Sequence, residues 1–466
     1  MISKSKLLMA YYGDDFTGST DALEFLTRAG IKTVLFIEPP TPAQLARYEG
    51  LQAIGVAGMT RSMSPAEMET VLQPAFTALR ALGARHVHYK VCSTFDSSPV
   101  TGSIGRAIDV GAAIFNAAFV PLVVAAPALG RYCAFGNLFA RMGIGSIGQI
   151  FRLDRHPSMS KHPVTPSDES DLRLHLSRQT VKCIGLMDIL EIAKEEDDQI
   201  KKLNEIINNG SEVVLFDALY EDQLLSIGQL IDTYAEDKTL FSVGSSGIEM
   251  ALGDYWNVLG LLQHKDDWED AGEAGPLLVI SGSCSPVTSG QITWALENGF
   301  AEIALDTATM AANYTEDLLD SYTRQVVALI EMGISVIIHT SRGSDDVRMD
   351  KTYDILSVKG LNKSEISAET SRLYGTALGA IAKAVAAQTN IKRILIAGGD
   401  TSSFAARAMG VEAVEMIAPL APGAPLCKAY APDSSVDGLE LNFKGGQVGA
   451  ANYFGMVKQG TTTYKD

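Results

Sequence analysis

The chain has few of the features that mark common protein classes. Its 466 residues include only five cysteines, Cys92, Cys133, Cys183, Cys284 and Cys427, scattered singly. There is no CxxC pair and the number is odd, which argues against a disulfide framework and for a reducing compartment. No Cys/His spacing suits zinc. Positive charge is scarce: 38 Lys and Arg stand against 55 Asp and Glu, a net charge of −17. No basic face could dominate such a surface, so nucleic acid is not an expected partner. A local Lys/Arg/Gly cluster can still hold a small anion. No apolar run approaches a membrane span, and the run after Lys4 and Lys6 stops at Asp14, too short for a secretory signal. A cytoplasmic protein without a membrane partner is expected. Two nucleotide fingerprints are also missing. No GxGxxG opens the first strand–helix turn of either half, and no GxxxxGK[ST] occurs. That weakens a dehydrogenase reading and requires any phosphate site to be of another type. There is no internal repeat and no low-complexity tract.

What the sequence does have is alternation of strand-like and helix-like segments. Expected strands at 7–12, 32–37, 52–57, 86–91 and 122–125 alternate with helical stretches. Among these, Ser64 caps a helix with Pro65 in its first turn. His86 and His88 alternate on one strand and so share a face, where a structural role is expected. Residues 131–170 read as irregular. Alternation resumes at 212–216 and 240–243. The acidic, then glycine-rich stretch 265–275 reads as a linker. The expected fold is therefore α/β, with two α/β domains of mainly parallel sheets. Domain one spans 1–264 and domain two 276–466, the second with a β-rich end at 413–443. A chain of this length exceeds one usual core.

Three Gly/Ser-rich loops follow strands in the second half: Ser281–Pro286, Gly398–Ser403, and Lys444-Gly445-Gly446-Gln447-Val448-Gly449. Ligands collect beyond the carboxyl ends of strands in open α/β sheets, and backbone N–H groups there hold phosphate. The simpler reading of the middle loop is a turn with Thr401 or Ser402 capping a helix over 404–409. In the first half, Asp14 and Asp15 sit on a strand-end loop with Thr17 and Ser19. Adjacent acids there either cap the next helix or bind hydroxyls, a metal or a basic partner. Lys90 ends an apolar strand, where a charge needs a partner, and Ser93, Thr94, Asp96 and Ser97 follow it. Arg61 is a candidate for a substrate carboxylate, or else a solvated loop arginine. This set suits a polyhydroxylated anion. Together with phosphate loops it suits phosphoryl transfer in a closing cleft between domains, usually with Mg²⁺.

Taken together, Asp14-Asp15-Phe16-Thr17-Gly18, the run from Lys90 to Asp96, Gly398-Gly399-Asp400-Thr401, Pro422-Gly423-Ala424-Pro425-Leu426 and Lys444-Gly445-Gly446 resemble the four-carbon acid sugar kinases. The resemblance runs in order over nearly the whole chain. It implies a sugar-acid-binding N-terminal domain, a nucleotide-binding C-terminal domain, and ATP-dependent phosphorylation of the terminal (4-) hydroxyl of tetronate-like acids. By position, Asp14, Asp15, Arg61, Lys90, Ser93, Thr94 and Asp96 would hold the acid. Ser281, Ser283, Ser285, Gly398, Gly399, Asp400, Thr401, Gly445 and Gly446 would hold ATP. Asp400 would carry Mg²⁺ or accept the hydroxyl proton, with Asp15 as its rival for the base. Two departures bear on the substrate. Much of the family has Asp-Ser-Thr-(Leu/Phe)-Arg-Gly where this chain has Cys92-Ser93-Thr94-Phe95-Asp96-Ser97, a variant that resembles the branch acting on 3-oxo acids. The late loop has Gly445 and Gln447 where Ser and Asn are common. A kinase of a non-oxidised tetronate and a non-catalytic sugar-acid sensor stay open as alternatives, and a homodimer is compatible with all of them.

Overall fold

The computed structural model describes residues 7–142, 148–162, 164–235, 238–343 and 345–462. The chain divides into two compact units, Met1–Asp266 and Asp267–Asp466.

The N-terminal unit is built on a parallel sheet. Its strands in chain order are β1 (Met9–Gly13), β2 (Thr33–Phe36), β3 (Ala53–Ala57), β4 (His86–Lys90) and β5 (Val120–Val123), then β6 (Arg131–Ala134), β7 (Asn137–Arg141), β8 (Ile150–Arg152), β9 (Ile184–Met187), β10 (Val213–Phe216) and β11 (Leu240–Gly244). The main sheet has the order β2-β3-β1-β4-β11-β5-β10-β9, and β6-β7-β8 form a separate antiparallel sheet. Runs such as Val213–Phe216 are apolar and buried throughout, as expected of parallel strands covered on both faces. An aromatic cluster fills one side. Phe115 stacks on Phe241 at 5.2 Å between centroids, with Phe76 tilted against Phe241 at 5.3 Å. Each such buried ring contributes roughly 1.5–3 kcal/mol. His86 and His88 are both buried, as their shared face suggests. His86 meets Asp232, and His88 meets Ser242.

The register levels the strand ends. Gly13 lies opposite Ala57 and Lys90, and Gly244 opposite Lys90 and Val123. The segments leaving β3, β1, β4, β11 and β5 therefore emerge side by side.

The C-terminal unit contains β12 (Leu278–Ser281), β13 (Ala301–Ala304), β14 (Val336–His339), β15 (Arg393–Ala397), β16 (Ala413–Ala421), β17 (Ala424–Tyr430) and β18 (Glu440–Lys444). Its order is β13-β14-β12-β15-β18-β17-β16, parallel through β18 and antiparallel in the last three strands. Here His339, Ser281, Ala397 and Lys444 end level with one another.

Several expectations need correction. The stretch 131–170 holds the β6-β7-β8 sheet, although residues 143–147 and 163 lie outside the described part. Strand β9 and the helices Leu172–Ser177 and Glu196–Asn208 precede the resumption expected at 212. In the C-terminal unit, β13 and the helices Glu316–Glu331 and Val347–Val358 had no sequence counterpart. Two supposed loops are helix starts. One helix runs Phe16–Arg28 and another Gly399–Met409, so neither Thr401 nor Ser402 is a cap; Gly398 holds that position. Both first turns are rich in Gly, Ser and Thr, poor helix formers that packing overrides.

Candidate functional site

At the carboxyl end of the N-terminal sheet the charged side chains are tied to one another. Asp15 caps the helix Phe16–Arg28: its Oδ1 accepts from Gly18 N at 2.6 Å and its Oδ2 from the Thr17 hydroxyl at 2.9 Å. Arg61, brought in by the turn Thr60–Ser62 after β3, forks across both aspartates. Its Nη2 and Nε reach Asp14 at 2.7 and 3.2 Å, and its Nη1 reaches Asp15 Oδ2 at 2.7 Å. Arg61 is therefore not a solvated loop arginine. Lys90 is 1 % exposed at the end of β4, 3.4 Å from Asp21. Asp21 in turn accepts from the Ser246 hydroxyl after β11. The convergence is tight at Gly18, where a Cβ would stand 2.6 Å from Asp15 Oδ1, 3.3 Å from Lys90 Nζ and 3.7 Å from Arg61 Nη2.

Burial raises the Asp14 carboxyl pKa, opposed by Arg61 and reinforced by Asp15. Burial lowers that of Lys90, but Asp21, Glu249 and Asp14 outweigh it and the ammonium ends above its ordinary value. Glu249 is fully buried and neither carboxyl oxygen has a hydrogen-bond partner; burial pushes its pKa to about 8. Its neighbour His88, 3.7 Å away, is driven down to about 3 by burial and by Lys90. The Cys92 thiol, at 3.0 Å from the Thr94 hydroxyl, is pushed up to about 11 by burial and is no nucleophile. Ser93 and Thr94 are buried, and Phe95 takes a left-handed φ of 57° that turns the chain toward Asp96. Asp96 Oδ1 is buried without a partner. Ser97 is bound to His175 and Gln179. The sequence reading named Asp14, Asp15, Arg61, Lys90, Ser93, Thr94 and Asp96, all of which lie on segments leaving adjacent strand ends. Ser246 and Glu249 join them without a counterpart among the expected site residues. The signal available was Glu249 in the first turn of the helix that Gly244-Ser245-Ser246-Gly247 opens.

The same end of the C-terminal sheet is built from glycines and hydroxyls. Gly398 has φ 119°, a region only glycine occupies readily, and its Cβ would meet Thr401 Oγ1 at 2.9 Å and Ser283 N at 3.4 Å. A Cβ on Gly446 would lie 3.0 Å from Ser283 Oγ. The loops at 282–285, 398–401 and 445–446 thus abut. The helix Gly399–Met409 makes no side-chain cap hydrogen bond at its start. Ser285 is committed: it caps the helix Pro286–Glu297 by accepting from Thr288 N at 3.1 Å, and it donates to the Gly446 carbonyl. Ser281 is fully buried, with its hydroxyl unpartnered. Asp400 is exposed on the first helical turn, where Ser371 donates to it at 3.3 Å. Lys444 is fully buried; its Nζ donates to Thr288 Oγ1 at 3.0 Å, and burial lowers its pKa to about 7. The loop Thr340–Gly343 after β14 adds a fourth neighbour, with Thr340 N donating to the Ser281 carbonyl at 3.0 Å.

Among the described residues no cluster of three His, Cys, Asp or Glu could hold a metal by itself, and no helix is long and apolar enough to cross a membrane. A magnesium ion arriving with a nucleotide needs only one or two protein carboxylates beside the phosphates, and Asp400 is chemically suited to supply one.

These features define a two-unit α/β protein with an ionic basin on one unit and a cradle of glycines and hydroxyls on the other. Residues 9–252 match a sugar-binding N-terminal domain and residues 278–454 a nucleotide-binding C-terminal domain. The chain belongs to the four-carbon acid sugar kinase family. It is 42% identical to a 3-oxo-isoapionate kinase of Paraburkholderia graminis, across 97% of this chain and 94% of the relative. It is 27% identical to a 3-oxo-tetronate kinase of Pseudomonas savastanoi pv. phaseolicola, across 97% of each. A crystal structure from Salmonella typhimurium LT2 superposes with a TM-score of 0.75 at 23% identity, covering 97% of this chain and 99% of that one, a likeness of fold.

Proposed function

We propose that the chain transfers the γ-phosphoryl group of ATP to the terminal (4-) hydroxyl of a 3-oxo sugar acid, four-carbon or branched, of the 3-oxo-tetronate or 3-oxo-isoapionate type. The observation that carries this reading is the 42% identity, sustained over 97% of the chain, to a 3-oxo-isoapionate kinase. The chemistry of the two sites supports it. On the N-terminal unit, Asp14, Asp15, Lys90, Ser93, Thr94 and Asp96 would orient the hydroxyls and the oxo group, with Arg61 acting through the two aspartates it holds. On the C-terminal unit, the backbone at Ser283, Gly398, Gly399, Thr401, Gly445 and Gly446 would cradle ATP phosphates. Ser281 and Ser285 would support that cradle from beneath, with Lys444 bracing it through Thr288.

Phosphoryl transfer passes through a loose transition state, so positioning and charge balance do most of the catalysis. Mg²⁺ would neutralise developing charge on the phosphates, held by Asp400. Asp15 already accepts from Gly18, Thr17 and Arg61, which weakens it as a base and suits it to orienting the hydroxyl. Asp400, exposed on the first helical turn, would take the hydroxyl proton if the metal is held otherwise.

ADP release measured against a panel of tetronates and 3-oxo acids tests the reading. A four-carbon or branched 3-oxo acid should give the highest kcat/KM, and its product should lose CO₂ on standing. ATP binding without stimulation by any acid would favour a sensor, and a preference for threonate or erythronate would move the substrate to the non-oxidised acids. Asp400→Asn should lower kcat about 100-fold or more; full turnover would remove Asp400 from both roles.

A further inference from the structure

Arg61, Lys90 and Arg131 stand on segments that leave the carboxyl end of the N-terminal sheet, and the first two are neutralised internally. Arg61 is held by Asp14 and Asp15, and Lys90 by Asp21. The third is Arg131, which opens β6 where the chain folds back off the end of β5: Ala126 and Arg131 exchange backbone hydrogen bonds across the turn. Arg131 is 6 % exposed. Its Nη1 donates to the carbonyls of Leu129 at 3.0 Å, Gly130 at 3.3 Å and Arg141 at 3.2 Å. Its Nε is buried with no partner, and among the described residues no carboxylate forms an ion pair with it. A buried guanidinium without an anion is costly. Burial lowers its pKa, and Cys92, Asp96, Asp21 and Tyr132 lie close enough to oppose that shift. Two of them have their own unpartnered buried oxygens, Asp96 Oδ1 and Asp21 Oδ1. An unmatched donor and unmatched acceptors of opposite sign thus lie on segments that leave the level ends of β5, β4 and β1.

We propose that Arg131 receives the carboxylate of the sugar acid through the Nε–Nη2 edge of its guanidinium, and that Asp96 Oδ1 accepts from a hydroxyl of the same molecule. The bidentate fork matches a carboxylate as an ammonium cannot. Arg131 is thereby the residue that selects acids over uncharged ketoses. The assignment rests on the sugar-acid reading above and names the group that reads the acid.

The test compares 3-oxo-tetronate with erythrulose, which has CH₂OH in place of the carboxylate and keeps the terminal hydroxyl and oxo group. Wild-type kcat/KM should favour the acid. Arg131→Gln should lose about 100-fold or more on the acid, with erythrulose and the KM for ATP changed less than about threefold. An equal loss on both substrates would make Arg131 a structural residue and overturn the proposal. If Arg131→Gln does not fold, Arg131→Lys decides: a drop of about tenfold in the acid-to-erythrulose ratio supports the assignment, and an unchanged ratio overturns it. A wild type that turns over no acid refutes the kinase reading instead. In that case, calorimetric binding of erythronate to wild type and Arg131→Lys still decides, equal affinity counting against Arg131.

Discussion

At the carboxyl end of the N-terminal sheet, charge is handled by side chains that neutralise one another. Asp14, Asp15 and Arg61 form one set, and Lys90, Asp21 and Ser246 another. At the same end of the C-terminal sheet the material is backbone: turns that only glycine fits, an uncapped helix start, and a buried lysine, Lys444, hydrogen-bonded to a hydroxyl. The difference follows from the ligands proposed for each. A small acid with several hydroxyls needs directional donors and acceptors at fixed points. Triphosphate oxygens are satisfied by N–H groups and need close backbone approach. The first kind of site should fail when a charge is removed, the second when a methyl group is added.

The largest effect is expected at Lys90. Replacing it with Met leaves Asp21 buried without its cation, and breaking a buried pair in this way costs about 3–5 kcal/mol. Lys90→Met should lower the thermal midpoint by several degrees and reduce kcat/KM for the acid by more than about 100-fold, leaving ATP affinity within a factor of about three. A loss confined to ATP would put Lys90 on the wrong side of the comparison.

The counterpart is Gly398→Ala. At φ 119° an alanine is strained, and its Cβ would crowd Thr401 Oγ1 at 2.9 Å; such strain costs about 1–3 kcal/mol. The KM for ATP should rise about 10- to 100-fold, with the KM for the acid unchanged. A matching rise for the acid would erase the division of labour. Adding a methyl group should act on the glycine site far more than on the ionic one, except at Gly18, which the ionic groups themselves surround.

How far the sequence disclosed this depends on the kind of site. The parallel sheets were legible because strands such as Val213–Phe216 are apolar and buried throughout. Asp14, Asp15 and Lys90 were legible because charges at the ends of apolar runs need partners. What each charge is paired with was not: Arg61 lies 46 residues from Asp15 in sequence, and only the level ends of β1 and β3 bring them together. The helix starts at Phe16 and Gly399 were hidden because their first turns are made of Gly, Ser, Thr and Asp, which locally favour turns. Arg131 was hidden in a stretch that reads as irregular, since strands of three to five residues carry little periodicity.

The smallest expected effect separates the units by the sign of their pH dependence. In the N-terminal unit, Glu249 has its pKa raised from 4.5 to about 8. The folded chain keeps a proton there that the unfolded chain has released, so the stabilisation is complete below about pH 4.5 and is lost as pH rises through 8. Lys90, Asp21 and His88 face it. His88, with its pKa depressed to about 3, acts in the opposite sense but only below its ordinary value of 6.5, which leaves 6.5–8 as the window for Glu249. In the C-terminal unit, Lys444 has its pKa lowered to about 7. The folded chain there binds fewer protons than the unfolded chain from about pH 7 upward, so its contribution grows as pH rises. Glu249→Gln, which fixes the neutral form, should flatten the fall in thermal midpoint between pH 6.5 and 8 relative to wild type. Lys444→Met should remove a rise above pH 7. If both variants shift the profile in the same direction, one of the two groups is not held uncharged by its surroundings, and the contrast between an ionic site and a backbone site loses its electrostatic basis.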